Sequence, residues 1–135
     1  MRKGFTLVEL LIVLAVIAAL MAVATPLALN AVKNAKASQV AQNFRNIKAA
    51  FENWWNTERP TPENTTITKL RDSGYLSKSP AGFSDTITVT SVASEPGVYN
   101  VTITYTAGDV DTSKLQQYYP EVSGTTLTFR VQKWW

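Results

Sequence analysis

Two patterns of apolar positions follow one another along the first 57 residues. From Leu10 to Ala24 every side chain is apolar, and as a helix the 20 residues from Phe5 to Ala24 would span roughly 30 Å, the thickness of a bilayer's hydrocarbon core. Beyond Pro26 the apolar positions thin to a stripe. Val40, Phe44, Ile47, Phe51 and Trp54 recur at steps of 4, 3, 4 and 3, which places them on one helical face. Lys36, Gln39, Asn43, Lys48 and Glu52 fall largely outside it. The pattern predicts one long helix over residues 5–57, on the order of 75 Å from Phe5 to about Trp55. Its part over residues 5–29 is suited to a membrane or a filament core, and its part over 30–57 to packing against a head. Pro26 has no N–H for the carbonyl of Ala22 and its ring crowds that carbonyl, so a kink or a loosened turn is expected there.

Glu58-Arg59-Pro60-Thr61-Pro62-Glu63 ends this helix, because two prolines in three residues cannot continue it. Residues 58–85 form a connecting region. Within it Thr66 to Ser73 suits a short helix that Gly74 terminates, with Leu70, Tyr75 and Leu76 as anchors. From residue 86 onward the period changes to two. Ile87 and Val89 alternate with Thr86, Thr88 and Thr90; Tyr99, Val101, Ile103 and Tyr105 alternate with Asn100, Thr102 and Thr104; Leu127, Phe129 and Val131 alternate with Thr126, Thr128 and Arg130. Turn pairs Pro96-Gly97, Gly108-Asp109 and Ser123-Gly124 bound these runs. The alternation predicts an antiparallel sheet over 86–135 with one buried face. That face needs a cover, and the stripe ending at Trp54 supplies it, so residues 30–57 and 86–135 together form the head. Residues 112–119 read equally as a short helix or an irregular strand. The fold class is therefore α+β, a long N-terminal helix packed on a small antiparallel sheet.

Composition narrows the chemistry. The formal charge is +3, but Arg2 and Lys3 supply two of those positives and the remainder is close to neutral, too little to mark nucleic acid as the main partner. The chain has no cysteine and no histidine, which removes thiol nucleophiles, the usual zinc clusters and a Ser-His-Asp triad together. No acid, base and nucleophile converge in the sequence, and an enzyme is not expected. Asp109 and Asp111, with Asp72 or Asp85, lack the spacing of a calcium loop and read as solvated turn carboxylates; no metal and no cofactor is assigned. Arg130 and Lys133 beside Trp134 and Trp135 have the ingredients for stacking on single-stranded nucleic acid, yet two cations make a weak funnel, and packing of these aromatics at a subunit or core contact is the stronger reading. Asn64-Thr65-Thr66 and Asn100-Val101-Thr102 match a glycosylation pattern that arises easily in a threonine-rich chain.

The N-terminus admits three readings. A plain single-pass anchor explains the length of the apolar run but leaves the carboxylate of Glu9 as a cost of about 2.5–3.5 kcal/mol if it sat near the bilayer centre. A secretory signal peptide fits Arg2, Lys3 and the small residues of Ala22-Val23-Ala24, but Glu9 interrupts its apolar region and the helical pattern runs past Ala24. The third reading takes the residues in order: a short basic leader ending in Gly4, then Phe5-Thr6-Leu7-Val8-Glu9, then the aliphatic run. This order resembles the bacterial type IV pilin family, tightly over residues 1–30 including Pro26, and in architecture thereafter. There is no cysteine pair to staple the last loop, as many family members have.

The resemblance implies a pilin fold in which residues 1–4 are a leader removed by prepilin peptidase between Gly4 and Phe5. Phe5 becomes the N-methylated first residue, and Glu9 pairs with the N-terminal amine of a neighbouring subunit, setting register. An α-amino group is largely cationic at neutral pH, and two opposite charges in an apolar core are each costly alone and less so together. It further implies that the segment around Pro26 unwinds on assembly, against the plainer reading of a bend. The implied role is structural: a subunit held as a single pass in the inner membrane, then polymerised with itself and other pilins by the assembly machinery into an extracellular pilus serving attachment, twitching motility or DNA uptake. Two alternatives stand beside it, a pseudopilin of a type II secretion system and a secreted or anchored β-rich binding domain that forms no polymer.

Overall fold

The structure, a computed structural model, describes Gly4 and residues 6–135. Helix α1 runs from Leu7 to Glu58 without interruption, helical through Pro26. It passes through two compact units, one up to Ala35 and one from Lys36 to Trp135. In the first unit every described side chain of the apolar run is exposed, Leu7, Leu14 and Val23 by 72, 61 and 70% among them. Such a surface is unfavourable in water and matches a hydrocarbon or protein environment. The helix is long and apolar enough here to cross a membrane.

In the unit from Lys36, the same helix turns one face into a core. Ala37, Val40, Ala41, Phe44, Ile47, Ala50, Phe51, Trp54 and Trp55 are all buried. The sequence stripe thus marks this face but leaves out Trp55 and the three alanines, whose small side chains let other groups pack close to the backbone. After Glu58 the chain turns through Arg59, whose φ of +48° is left-handed, and Pro60 bars any return to helix.

Five strands form an antiparallel sheet of order β1-β2-β3-β5-β4. These are β1 (Thr65–Thr66), β2 (Thr86–Ser91), β3 (Val98–Thr104), β4 (Val122–Ser123) and β5 (Thr126–Gln132). Helix α2 (Ile67–Asp72) follows β1, its N-terminus capped by Thr66 Oγ1, which accepts from Lys69 N. Helix α3 (Thr112–Tyr118) lies between β3 and β4, capped by Asp111, so the stretch read as helix or strand is helical up to Tyr118, with Tyr119 as its C-cap. The two-residue strands β1 and β4 are additions that no alternation signalled.

Register explains the two faces. Val89, Val101 and Phe129 lie in one row across β2, β3 and β5, and Thr88, Thr102 and Thr128 in the next. The first row faces the core; the second faces out, with the hydroxyls of Thr102 and Thr128 3.4 Å apart. Aromatic contacts join the helix to the sheet and, through Phe83, to the segment ahead of β2. Phe51 meets Phe129 edge-on at 5.8 Å, Phe44 meets Phe83 at 4.8 Å, and Trp55 meets Tyr99 at 5.6 Å. The Trp55 indole N–H also donates to the carbonyl of Gln132 at 3.0 Å, so the last turns of α1 are tied to the end of β5. The loop after β3 is tied to the start of this unit. Asp109 accepts from the Tyr105 hydroxyl and pairs with Lys36 at 3.2 Å.

Candidate processing and assembly site

The residues singled out near the N-terminus sit at the start of α1. Phe5 and the basic pair Arg2 and Lys3 lie outside the described residues, and Gly4 is exposed. Thr6 precedes the first helical residue, and its hydroxyl accepts from the amide of Glu9 at 3.1 Å. In return the Glu9 carboxylate accepts from the amide of Thr6 at 3.2 Å. This reciprocal arrangement is a capping box, which satisfies two of the four amides that a helix start leaves without partners. A carboxylate in the first turn is also favoured by the helix dipole.

Glu9 is therefore not a bare charge within the single chain. Residue order alone marks it as a cost in an apolar run and, through the resemblance, as the partner of a neighbouring subunit's amine; the Thr-x-x-Glu spacing is the signal that gives it a local partner as well. Neither hydrogen bond neutralises it, however. The carboxylate keeps unused acceptor capacity at the start of an exposed apolar run, with room for an ammonium group. From Leu10 through Val23 no polar side chain interrupts the surface that follows.

Pro26 sits within this helix, and the residues of the head stripe are all in the core of the second unit. The other sequence candidates are accounted for by local contacts. Asp85 accepts from the amide and hydroxyl of Thr68, each at 2.9 Å, and Asp72 pairs with Arg71 at 3.2 Å. Among the described residues no three acids come together as metal ligands. Arg130 is bound to Glu95, while Trp134 donates to Asn56 at 3.0 Å and carries the Arg59 guanidinium 4.8 Å over its ring. Trp135 packs against Trp55 at 5.2 Å. Trp135 is thus packed on the core, while Trp134 keeps 56% of its surface exposed despite these contacts.

Residues 1–25 match the family model of the prokaryotic N-terminal methylation motif. No curated protein and no solved structure matches the chain. The matched segment contains the basic leader, Gly4, Phe5, Glu9 and the apolar run together, and the α+β architecture behind it is that of a pilin. The chain therefore carries a type IV pilin-like prepilin leader, on an N-terminal helix compatible with membrane anchoring.

Proposed function

We propose that this chain is a structural subunit of a type IV pilus. It would enter the inner membrane as a single pass, lose residues 1–4 to prepilin peptidase, and polymerise through its apolar helix into an extracellular filament. Attachment, twitching motility and DNA uptake are the roles such a filament serves. The observation that carries the reading is the placement of Glu9: one charged side chain in the first turn of α1, directly ahead of the apolar, exposed run from Leu10 to Ala24, inside the matched methylation motif. A charge there is costly in hydrocarbon, and an amine that met it on assembly would offset that cost.

A non-catalytic role is part of this proposal and is supported by a sequence without cysteine or histidine. The pseudopilin of a type II secretion system shares every N-terminal feature, so the pilus reading is separated from it by phenotype: deletion of the gene abolishes surface filaments in one case and secretion in the other. The first test is intact mass and N-terminal sequencing of protein sheared from the cell surface. A chain beginning at methylated Phe5 is the expected result. A start at Thr25 would mean cleavage as a signal peptide, and an intact Met1 a plain anchor; either overturns the proposal.

A further inference from the structure

In the unit from Lys36, a groove of about 550 Å³ runs between the solvent side of α1 and residues 75–81. Its helical wall presents four side-chain amides, Gln39, Asn43, Asn46 and Asn53. At 1.5 Å of rise per residue the first three are about 6 and 4.5 Å apart along the axis, so they form a ladder. The facing wall contributes Tyr75, Ser77 and Lys78, with Leu76 and Pro80 supplying apolar surface. Among the described residues no carboxylate lines the groove itself; the nearest are Glu58, which accepts from the Tyr75 hydroxyl at 2.8 Å, and Asp109 on Lys36. Of the two lysines, Lys36 is held by Asp109, whereas Lys78 is in no ion pair among the described residues.

We infer that this groove is a binding site for an oligosaccharide. Each amide offers a donor and an acceptor side by side, the complement of a pair of neighbouring hydroxyls, and of the four only Asn46 is engaged by another side chain, Gln42 at 3.2 Å. The volume is that of a small-molecule site, and a lining that sets amides and hydroxyls among apolar side chains such as Val40, Leu76 and Pro80 suits a ligand with both hydroxyls and apolar ring faces. A peptide is a poorer fit. Peptide recognition uses a free sheet edge, an apolar trough for helix anchors or a cluster of arginines, and this groove has none of them. The lack of carboxylates and the unpaired Lys78 admit an acidic sugar and disfavour a cationic one. The inference rests on the geometry of this unit alone and stands whether or not the chain polymerises.

The test uses the full chain, isotopically labelled, in phosphocholine micelles that carry no sugar headgroup. Chitotetraose, maltotetraose and tetragalacturonate are titrated to millimolar concentration while side-chain amide and backbone resonances are followed. At least one is expected to move the amides of Gln39, Asn43 and Asn46 together with residues 75–81. Asn43→Ala with Asn46→Ala weakens that binding roughly tenfold or more, equivalent to about 1.4 kcal/mol, without disturbing the rest of the spectrum. Lys78→Glu, at an exposed position away from the helix, selectively abolishes binding of the acidic tetramer and covers the case in which the double variant fails to fold. No perturbation with any of the three, shifts confined to another surface, or binding insensitive to both variants overturns the inference. Concentration-dependent shifts in the groove without sugar would assign it to a second copy of the chain and overturn it equally.

Discussion

The Glu9 carboxylate and the Thr6 amide are 3.2 Å apart, and the Thr6 hydroxyl returns the contact to the Glu9 amide at 3.1 Å. Glu9 thus has two separable properties, a side-chain acceptor that caps the helix and the carboxylate that, under the proposed function, the amine of a neighbouring subunit would meet. Gln keeps the first and loses the second, because glutamine also serves in a capping box; Ala loses both. If the charge sets register between subunits, Glu9→Gln and Glu9→Ala both reduce filament yield sharply while membrane insertion persists. Hydrogen exchange at the Thr6 amide rises only in the Ala variant, which removes its acceptor while the Thr6 hydroxyl still holds the amide of residue 9; the lost hydrogen bond costs about 0.5–1.5 kcal/mol. Filament yield for Glu9→Gln equal to that of the unmodified chain would show that capping is the whole role of this residue.

Trp55 is 1% exposed, stacks with Phe51 at 5.9 Å and donates to Gln132. Trp55→Phe removes the donor, leaves a part-buried carbonyl without it and opens space beside Tyr99. We expect a loss of about 2–4 kcal/mol, read as a lower urea midpoint for the full chain in micelles. Trp54→Phe loses less, since the Trp54 indole N–H has no protein acceptor among the described residues.

Gly82 and Gly74 have nearly the same left-handed φ, +85° and +87°, but different surroundings. A Cβ at Gly82 would lie 2.7 Å from Cε1 of the buried Tyr105 ring and 2.9 Å from Cβ of Ala107, whereas at Gly74 it would meet nothing within 4 Å. Gly74→Ala therefore costs only the left-handed strain, about 1–2 kcal/mol. Gly82→Ala adds a displacement of the Tyr105 ring, about 1–3 kcal/mol more, and should also free the Asp109 loop. Thermal unfolding of the two variants side by side checks the difference; equal losses would show that the ring yields freely.

The Asp109 carboxyl is held below its ordinary 3.8, first by the Tyr105 hydroxyl and then by Lys36, while burial opposes them. Tyr105 is pushed above 10.0 by its burial and by the hydrogen bond to Asp109, and Lys36 is raised above 10.5 chiefly by Asp109. For a carboxyl with a depressed folded pKa, the stabilisation is fully present above the unfolded value and is lost as pH falls through the folded one. For the raised Tyr and Lys it is present below their unfolded values and lost as pH rises through the folded ones. The Tm difference between the unmodified chain and Asp109→Asn should accordingly be level between about pH 5 and pH 9 and shrink below pH 3.8. A difference that persisted undiminished at pH 2 would mean that the contact acts through shape and not through charge.

Much of this architecture is legible in residue order because each element is marked by burial on one side only. The steps from Val40 to Trp54 select the core face of α1, and the Thr alternation selects the solvent face of the sheet. Trp55 escaped that reading because it follows Trp54 directly, and a stripe followed in steps of 3 and 4 admits only one of two adjacent residues. Phe44, Phe51 and Trp55 at steps of 7 and 4 give the signal that includes it. Strand β4 has two residues, too few for a period. Helix α3 was ambiguous because its hydrophobic anchor is a single buried residue, Leu115, and its true signal was the cap at Asp111. The amide groove was invisible for a different reason, since polar residues on a helix's outer face look alike until residues 75–81 are seen to stand opposite them.

Pro26 lies inside an unbroken helix, yet a proline cannot donate to the carbonyl of Ala22, and in an apolar environment that acceptor has no water to replace the donor. The turn from Ala22 to Pro26 should therefore be the least protected part of the apolar segment, although its neighbours are as hydrophobic. Pro26→Ala restores the hydrogen bond and removes the steric conflict with the preceding turn, a gain of up to about 3 kcal/mol for a helix interior. Hydrogen exchange of the full chain in micelles should show fast exchange for residues 22–30 in the unmodified protein and slow exchange in the variant, with residues 10–20 unchanged. If assembly draws on that loosened turn, filament yield falls in the variant even though the helix is more stable. A yield that holds or rises would leave Pro26 as a bend and nothing more.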